Sequence, residues 1–153
     1  MLSHSTSFGI RSVATNRLAN WNMKLRRTSV FGAAISRHQV TTLWLTAGLF
    51  HEVVDSGLET LRPLRQLLAG GDVVSPAAVR KVLERHPDTV VIDGYGPTEG
   101  TTFSACHRMN DAASVGAAVP IGRPIANARC HVLDRHRQPV PIGVVGELYV
   151  GGA

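Results

Sequence analysis

The chain has 153 residues, 44% of them hydrophobic, which is enough for one globular domain and too apolar for a disordered chain. No apolar run approaches the roughly 18 residues of a membrane-spanning helix. The two cysteines, Cys106 and Cys130, form neither a disulfide framework nor a metal-binding spacing, so we interpret them as free thiols of a reduced compartment. We expect a cytoplasmic protein without a membrane partner.

The net charge of +5 belongs to the first third of the chain. The first acidic residue is Glu52, so residues 1–51 carry a formal charge of +6 and residues 52–153 a formal charge of −1. A nucleic-acid arm, a membrane-surface segment or a transit peptide could look like this. Residues 1–30 have no amphipathic period and no secretory apolar run. We therefore predict a poorly structured or non-native start and expect no nucleic-acid partner.

Strands and helices alternate in the prediction from Phe31 onward. The apolar, β-branched residues 40–46 predict a buried strand, and "AGLFHEVVDSG" predicts a helix that ends at Gly57. The segment "LRQLLAGGD" predicts a second strand that runs into a glycine turn. The next segment, "SPAAVRKVLERH", predicts a helix with Ser75 as its N-cap and Pro76 at its first position. Finally, "DTVVIDGYGPTEG" predicts a third strand that ends in a glycine loop.

This order of elements is typical of an α/β fold with parallel strand pairing. Two later segments, "ANARCHVLD" and "GELYVGG", alternate polar and apolar residues and predict strands of a more antiparallel region. The predicted fold class is therefore α/β, with a parallel-rich sheet and helices followed by that region. Ligands bind at the carboxyl ends of strands in open α/β sheets, so "AGGD" and "DGYGPTEGTT" should lie side by side and line one crevice.

The second glycine loop carries side chains that suit a nucleotide and its metal ion. Tyr95 offers a flat face for a base, Thr98 offers a hydroxyl to an oxyanion, and Glu99 offers a hard oxygen ligand for Mg²⁺. Other interpretations stay open, because glycines after strands are most often turns and a lone Glu99 would be a solvated carboxylate. Trp44 and Leu68 lie in apolar strands and would then be core residues.

Five segments together resemble the adenylation (AMP-binding) domains of nonribosomal peptide synthetases, within the adenylate-forming enzymes. They are "TTLWLTAGLFH", "LRQLLAGGDVVSP", "IDGYGPTEGTTFS", "PIGRPIANARCHVLD" and "PVPIGVVGELYVGG". The resemblance covers residues 31–153 and implies an incomplete portion of the family's large N-terminal subdomain, whereas residues 1–30 show no match. The wording "GPTE" and "GRPIAN" favours peptide synthetases. A partial acyl-CoA synthetase and a non-catalytic nucleotide-binding remnant are the alternatives.

The resemblance implies an activity and its partners. Members of the family activate an amino acid or a related carboxylic acid with ATP and form an acyl-AMP and pyrophosphate. They then pass the acyl group to the phosphopantetheine thiol of a carrier protein. Thr98 matches the hydroxyl near the α-phosphate and Glu99 matches the carboxylate that binds Mg²⁺, so both are predicted catalytic residues.

The resemblance also assigns the two halves of the ligand site. Tyr95 matches the residue that stacks on adenine, Asp93 matches the polar residue that reads its amino group, and Gly71 and Asp72 match the turn beside the base. Another six positions match those that shape the amino-acid pocket, with Gly70 and Gly94 expected to leave room and Trp44 to close one wall. These are Trp44, Leu68, Gly70, Gly94, Thr102 and Phe103.

Parts of the family's machinery have no match in this sequence. They are the phosphate loop with its lysine, the acid that holds the substrate's α-amino group, the ribose-binding aspartate, and the small lid with its catalytic lysine. That lysine stabilises the charge that develops on the phosphate and carboxylate. We therefore expect a fragment of a ligase that is inactive alone, whether truncated, working with a separate remainder, or a non-functional remnant.

Overall fold

The computed structural model describes residues 24–100 and 102–152, with side chains from Val30 onward. It contains three α-helices, seven strands and three short 3₁₀ turns within these ranges. The helices are α1 (Lys24–Arg37), α2 (Ala47–Gly57) and α3 (Pro76–Arg85). The strands are β1 (Thr42–Thr46), β2 (Gln66–Gly70), β3 (Val90–Tyr95), β4 (Ala105–Met109), β5 (Arg123–Pro124), β6 (Ala128–Leu133) and β7 (Glu147–Gly152). The 3₁₀ turns are Leu58–Leu61, Thr98–Gly100 and Ala112–Ser114.

Two sheets carry the architecture. The first has the strand order β1-β2-β3-β4-β5, in which β1, β2 and β3 run parallel and β4 and β5 pair antiparallel at the far side. The second is the antiparallel β6–β7 hairpin. The predicted α/β class, with a parallel-rich sheet followed by a more antiparallel region, is confirmed.

The start of α3 follows the predicted capping chemistry, and α2 has a similar cap that was not predicted. Ser75 has extended backbone angles and its hydroxyl accepts the Ala78 N–H of α3 at 3.4 Å, with Pro76 next along the chain. At the start of α2, the Thr46 hydroxyl accepts the Leu49 N–H at 3.4 Å. The Ser75 N–H donates to His51 Nε2 at 3.0 Å, so the start of α3 is tied to α2.

The core lies between the helices and one face of the first sheet, which we call the helix-covered face. Directly paired residues share a face, so Leu43, Leu67, Val91 and Met109 form one row across the sheet. All four pack in a single hydrophobic cluster with buried side chains of the helices, including Phe50, Val53, Val79 and Val82. The intervening strand residues therefore point to the opposite face.

Helix α1 and strand β4 differ from the sequence-based expectation. Helix α1 begins inside residues 1–30, where no helix was predicted; the rest of that segment, residues 1–23, lies outside the described part of the chain. Ile35 is buried in the core and Phe31 packs against it, so tertiary packing supports this helix more than its sequence pattern does. Strand β4 was missed because His107 and Arg108 interrupt its apolar pattern.

No helix among the described residues is both long enough and apolar enough to cross a membrane.

Candidate functional site

The carboxyl ends of the three parallel strands meet at one edge of the sheet. Thr46 pairs with Gly70, and Gly70 pairs with Gly94, so the turn after β2 lies directly beside the loop after β3. This confirms the prediction that "AGGD" and "DGYGPTEGTT" are neighbours. The arrangement is the usual position of a ligand site in an open α/β sheet.

The loop after β3 is closed at its base. The Ser104 N–H donates to the Tyr95 carbonyl at 2.7 Å, and Ser104 is buried. Tyr95 is half-buried at the end of its strand, whereas Thr98 and Glu99 lie in the following 3₁₀ turn and are exposed. A flat ring is thus anchored in the sheet, and a hydroxyl and a carboxylate reach solvent a few residues away.

The turn after β2 needs a glycine at its first position. Gly71 has φ of +79°, a left-handed backbone that L side chains rarely adopt. Asp72 follows it and is exposed, and its Oδ1 accepts the Val73 N–H at 2.7 Å. One carboxylate oxygen of Asp72 is therefore engaged in shaping the turn itself.

Asp93 is a buried carboxylate within β3. It is 7% exposed and lies on the helix-covered face, where Ala69 and His107 are its paired neighbours. Burial raises the pKa of Asp93, and the charge of His107 and a hydrogen bond from the Gly94 backbone oppose this rise. The neutral form of Asp93 is therefore favoured relative to an exposed aspartate.

The predicted pocket residues gather on the opposite face. Trp44 pairs with Leu68, and Gly94 lies in the next row of that face. The Phe103 ring reaches back from the loop, with its centroid 6.3 Å from that of Trp44 and the two planes at 54°. The structure thus brings Trp44, Leu68, Gly94 and Phe103 together, and Thr102 precedes Phe103 with an exposed side chain.

Both strand-end glycines are required by close packing. A Cβ on Gly94 would lie 2.3 Å from the Phe103 ring, and a Cβ on Gly70 would lie 2.0 Å from the Gly94 carbonyl oxygen. The space beside Gly94 is therefore filled by an aromatic ring of this chain, and that beside Gly70 by backbone. Sequence reasoning missed this, because Gly94 and Phe103 are nine positions apart in the sequence and meet only when the loop folds back.

One polar atom on the opposite face is unpaired. The indole N–H of Trp44 is buried and has no hydrogen-bond acceptor within the part of the chain that the structure describes. Buried donors are almost always paired in folded proteins, so such an atom marks a place where another polar group is expected.

Glu99 and Phe103 also border a cleft of about 410 Å³ between the loop and the β6–β7 hairpin. Its remaining lining is mostly backbone and small apolar side chains, and sequence reasoning predicted none of it. These residues are Pro97, Ser104, Ile125, Ala126, Asn127, Ala128, Val150, Gly151 and Gly152.

The residues at the site fit a magnesium ion that is held mainly by phosphates. Residues 24–100 and 102–152 contain no group of three or more His, Cys, Asp or Glu side chains that could hold a metal. Glu99 therefore offers a single exposed carboxylate. Mg²⁺ commonly binds through one or two carboxylates together with phosphate oxygens and water, and this donor set allows that mode.

Comparison with known protein families shows the family of this chain. The family model described as "AMP-binding enzyme" matches residues 6–153. The chain belongs to the AMP-binding enzyme family. This match begins well before residue 31, where the recognisable segments start, so kinship with AMP-binding enzymes extends into the basic N-terminal third.

Curated relatives within this AMP-binding family are peptide synthetases. Over 121 residues the chain is 59% identical to one of the linear gramicidin synthase proteins and 41% identical to tyrocidine synthase 3, both from Brevibacillus parabrevis. Each match covers 79% of this chain but 2% of the relative. The chain therefore spans a small part of the curated relatives that it matches.

Solved structures of AMP-binding relatives share the fold. The chain superposes on PA1221, an NRPS protein containing adenylation and PCP domains, with a TM-score of 0.77 and 40% identity over 82% of this chain and 26% of that one. The N-terminal subdomain of Klebsiella oxytoca NpsA, in complex with 3-hydroxybenzoyl-AMSN, gives a TM-score of 0.74 at 28% identity over 81% of this chain and 32% of that one.

Proposed function

We propose that this chain forms part of the large subdomain of an amino-acid-activating ligase. In the proposed reaction a carboxylate oxygen of the amino acid, or of a related acid, attacks the α-phosphorus of ATP. A new P–O bond forms, the bond to the β-phosphate oxygen breaks, and pyrophosphate leaves with that bond's electron pair. The single observation that carries the proposal is the pairing of Gly70 with Gly94, which sets the two predicted nucleotide loops side by side.

The nucleotide half of the proposed site uses the loop after β3. Tyr95 supports the adenine ring through its aromatic face, and Gly71 and Asp72 flank the base from the neighbouring turn. Thr98 donates its hydroxyl to an α-phosphate oxygen. Glu99 is the residue that would hold Mg²⁺, which neutralises phosphate charge when it is bound. The exposure of Thr98 and Glu99 supports these roles, because both side chains are free to meet a ligand.

Asp93 has a different place in the proposal. Its carboxyl group is buried at the end of the strand that leads to Tyr95, and burial raises its pKa. A neutral carboxyl group has both an O–H donor and an acceptor oxygen, whereas a carboxylate only accepts. The neutral form could therefore pair with both the amino group and a ring nitrogen of adenine.

The acyl half of the site lies on the opposite face of the sheet. Trp44, Leu68 and Phe103 supply apolar walls beside Gly94, and the Trp44 indole supplies one unpaired donor. The apolar walls favour an amino acid with a largely apolar side chain, and the indole donor favours an acceptor atom beside it. The solved relative PA1221 contains a PCP domain, and we propose that the acyl group passes from AMP to the phosphopantetheine thiol of such a carrier.

The test is an NMR titration of the chain with AMP and with Mg·ATP. We expect a dissociation constant in the millimolar range, near −4 kcal/mol, because stacking on one aromatic ring supplies roughly 1–3 kcal/mol. Tyr95→Ala should abolish the shifts that AMP causes. Tyr149→Ala is the matched control, since Tyr149 is the chain's other tyrosine and lies on the β6–β7 hairpin.

Glu99→Gln separates the metal role from the base role. It should leave AMP binding unchanged and weaken the Mg²⁺-dependent part of ATP binding. Equal AMP shifts in the parent and in folded Tyr95→Ala would reject the adenine platform. A different outcome is that AMP binds to this chain, but a longer protein that contains the chain shows no activity that depends on an amino acid. That outcome would favour a nucleotide-binding module without catalysis.

A further inference from the structure

Thr102 has a backbone conformation that is unusual for its residue type. Its φ is +83°, the largest of the positive φ values among the described non-glycine residues. The others are Gln39, Asn127 and Arg137, none of which branches at Cβ. A β-branched residue with positive φ is a steric outlier, and it persists only when the surrounding structure imposes it.

The surroundings of Thr102 show what imposes it. A Cβ on Gly96 would lie 2.7 Å from the Thr102 carbonyl oxygen and 2.9 Å from Phe103 Cα, so the two arms of the loop are in direct backbone contact. Ser104 is fixed on both sides, because its N–H donates to Tyr95 at 2.7 Å and its carbonyl accepts the Ile125 N–H at 3.0 Å. The chain must therefore turn sharply just before Phe103.

The turn determines where the Phe103 ring goes. The ring fills the space beside the Gly94 backbone and meets the Trp44 ring on the opposite face of the sheet. The Thr102 side chain is exposed, and its hydroxyl makes no hydrogen bond within residues 24–100 and 102–152. The conformation of Thr102, and not its hydroxyl, is thus linked to the pocket wall.

We propose that Thr102 is a positioning residue that acts through its left-handed backbone. This backbone directs the Phe103 ring onto Gly94 and Trp44, and so sets the depth of the apolar pocket. The consequence for substrate choice rests on the proposed function, whereas the positioning itself is a property of the chain without ligand. A hydroxyl role and a backbone role predict opposite results for the same substitutions.

The reporter is the fluorescence of Trp44 in a Trp21→Phe background, which leaves one tryptophan. Phe103→Ala removes the ring that packs on Trp44 and should shift the Trp44 emission to longer wavelength. The size of this red shift is the reference against which the Thr102 variants are compared. Thr102→Pro fixes φ at about −65° and should produce most of that shift. Thr102→Gly adopts positive φ freely, and Thr102→Val keeps the shape without the hydroxyl, so both should keep the parental emission.

Thr102→Gly should also raise the melting temperature, because it removes the steric conflict at φ of +83°. A red shift in Thr102→Val would assign the role to the hydroxyl and overturn the proposal. Parental emission in folded Thr102→Pro would overturn it as well. If circular dichroism shows that Thr102→Pro does not fold, the Gly and Val variants decide: parental emission in both with a higher melting temperature for Gly supports the proposal, and any other result contradicts it.

This readout is independent of the ligase proposal. If AMP titration fails but the emission follows the predicted order, the proposed function is wrong and the positioning role stands. If AMP binds but the emission of Thr102→Val matches that of Phe103→Ala, the positioning role is wrong and the nucleotide site stands.

Discussion

The α/β layer, by which we mean the described residues up to Val115, buries many of its apolar side chains. The described residues after Val115 leave theirs partly or fully exposed. Every buried hydrophobic residue that the structure describes lies between Ile35 and Val115. Beyond it, Ile142 and Val145 are 107% and 95% exposed. The layer carries its own core, whereas the β6–β7 region has apolar surface of the kind that is normally covered by another part of a protein. Stability and exposed surface should therefore respond to different mutations.

The largest difference should come from truncating one core residue. Phe50 is fully buried between α2 and the sheet, and Phe50→Ala should lower the free energy of unfolding by about 3–5 kcal/mol. Ile142→Ala should change it by less than about 0.5 kcal/mol. Urea unfolding followed by circular dichroism measures both. Similar losses for the two variants would mean that the regions share one cooperative core.

Close packing of glycines gives a second contrast. Gly94→Ala should cost about 1–3 kcal/mol, because its Cβ would overlap the Phe103 ring. Gly151→Ala, on strand β7, is the matched control, since a Cβ there has open space. In a double-mutant cycle, Phe103→Ala should recover part of the loss from Gly94→Ala but none from Gly70→Ala, whose Cβ meets backbone. Strictly additive losses for Gly94 and Phe103 would contradict the contact.

The dependence of the free energy of unfolding on pH should reveal the burial of the Asp93 carboxyl group. Its folded-state pKa is raised by burial, so its contribution to stability is complete below the unfolded pKa of about 3.9 and is lost as pH rises through the folded value. Asp93→Asn removes the buried charge and should be more stable than the parent at neutral pH, with no such advantage in acid. Unfolding free energies of both proteins from pH 3 to pH 8 check this, and parallel pH profiles would argue against it.

The smallest effect on stability should come from the exposed apolar residues. We expect the chain to bind a hydrophobic dye, and Ile142→Lys with Val145→Lys should reduce that binding. The free energy of unfolding should stay within about 0.5 kcal/mol of the parent value. Ala118→Lys places the same charge at another exposed site of the C-terminal region and is the control. Unchanged dye fluorescence in the double variant would mean that the dye does not bind at Ile142 and Val145.

The same contrast explains what the sequence could predict. The strands and helices from residue 40 to residue 95 follow from local signals, such as the Ser75 cap and the apolar run of β1. Helix α1 was missed because its stability comes from Ile35 and Phe31 packing on the core, which is a tertiary effect. Strand β4 was missed because its pairing with β3, not its polar sequence, makes it a strand.

Sequence reasoning about the site succeeded for chemistry and failed for geometry. The loop carrying Tyr95, Thr98 and Glu99 was identified because its residue types suit phosphate and base contacts. Neither the burial of Asp93 nor the steric requirement for glycine at position 94 can be predicted from the residues next to it in the sequence. Both depend on which residues the sheet register places opposite one another.

The register of the parallel strands also bears on how the chain assembles. Thr42 pairs with Gln66 and Gln66 with Val90, so neighbouring strands are offset by the same 24 positions of sequence. Each helical crossover returns the chain to the strand beside the one it left, and the entropy lost in closing each loop is similar. Spatial order across the sheet therefore equals the order of synthesis on the ribosome. The edge strand with which each new strand pairs has already been synthesised. The layer can therefore fold one strand at a time as the polypeptide leaves the ribosome.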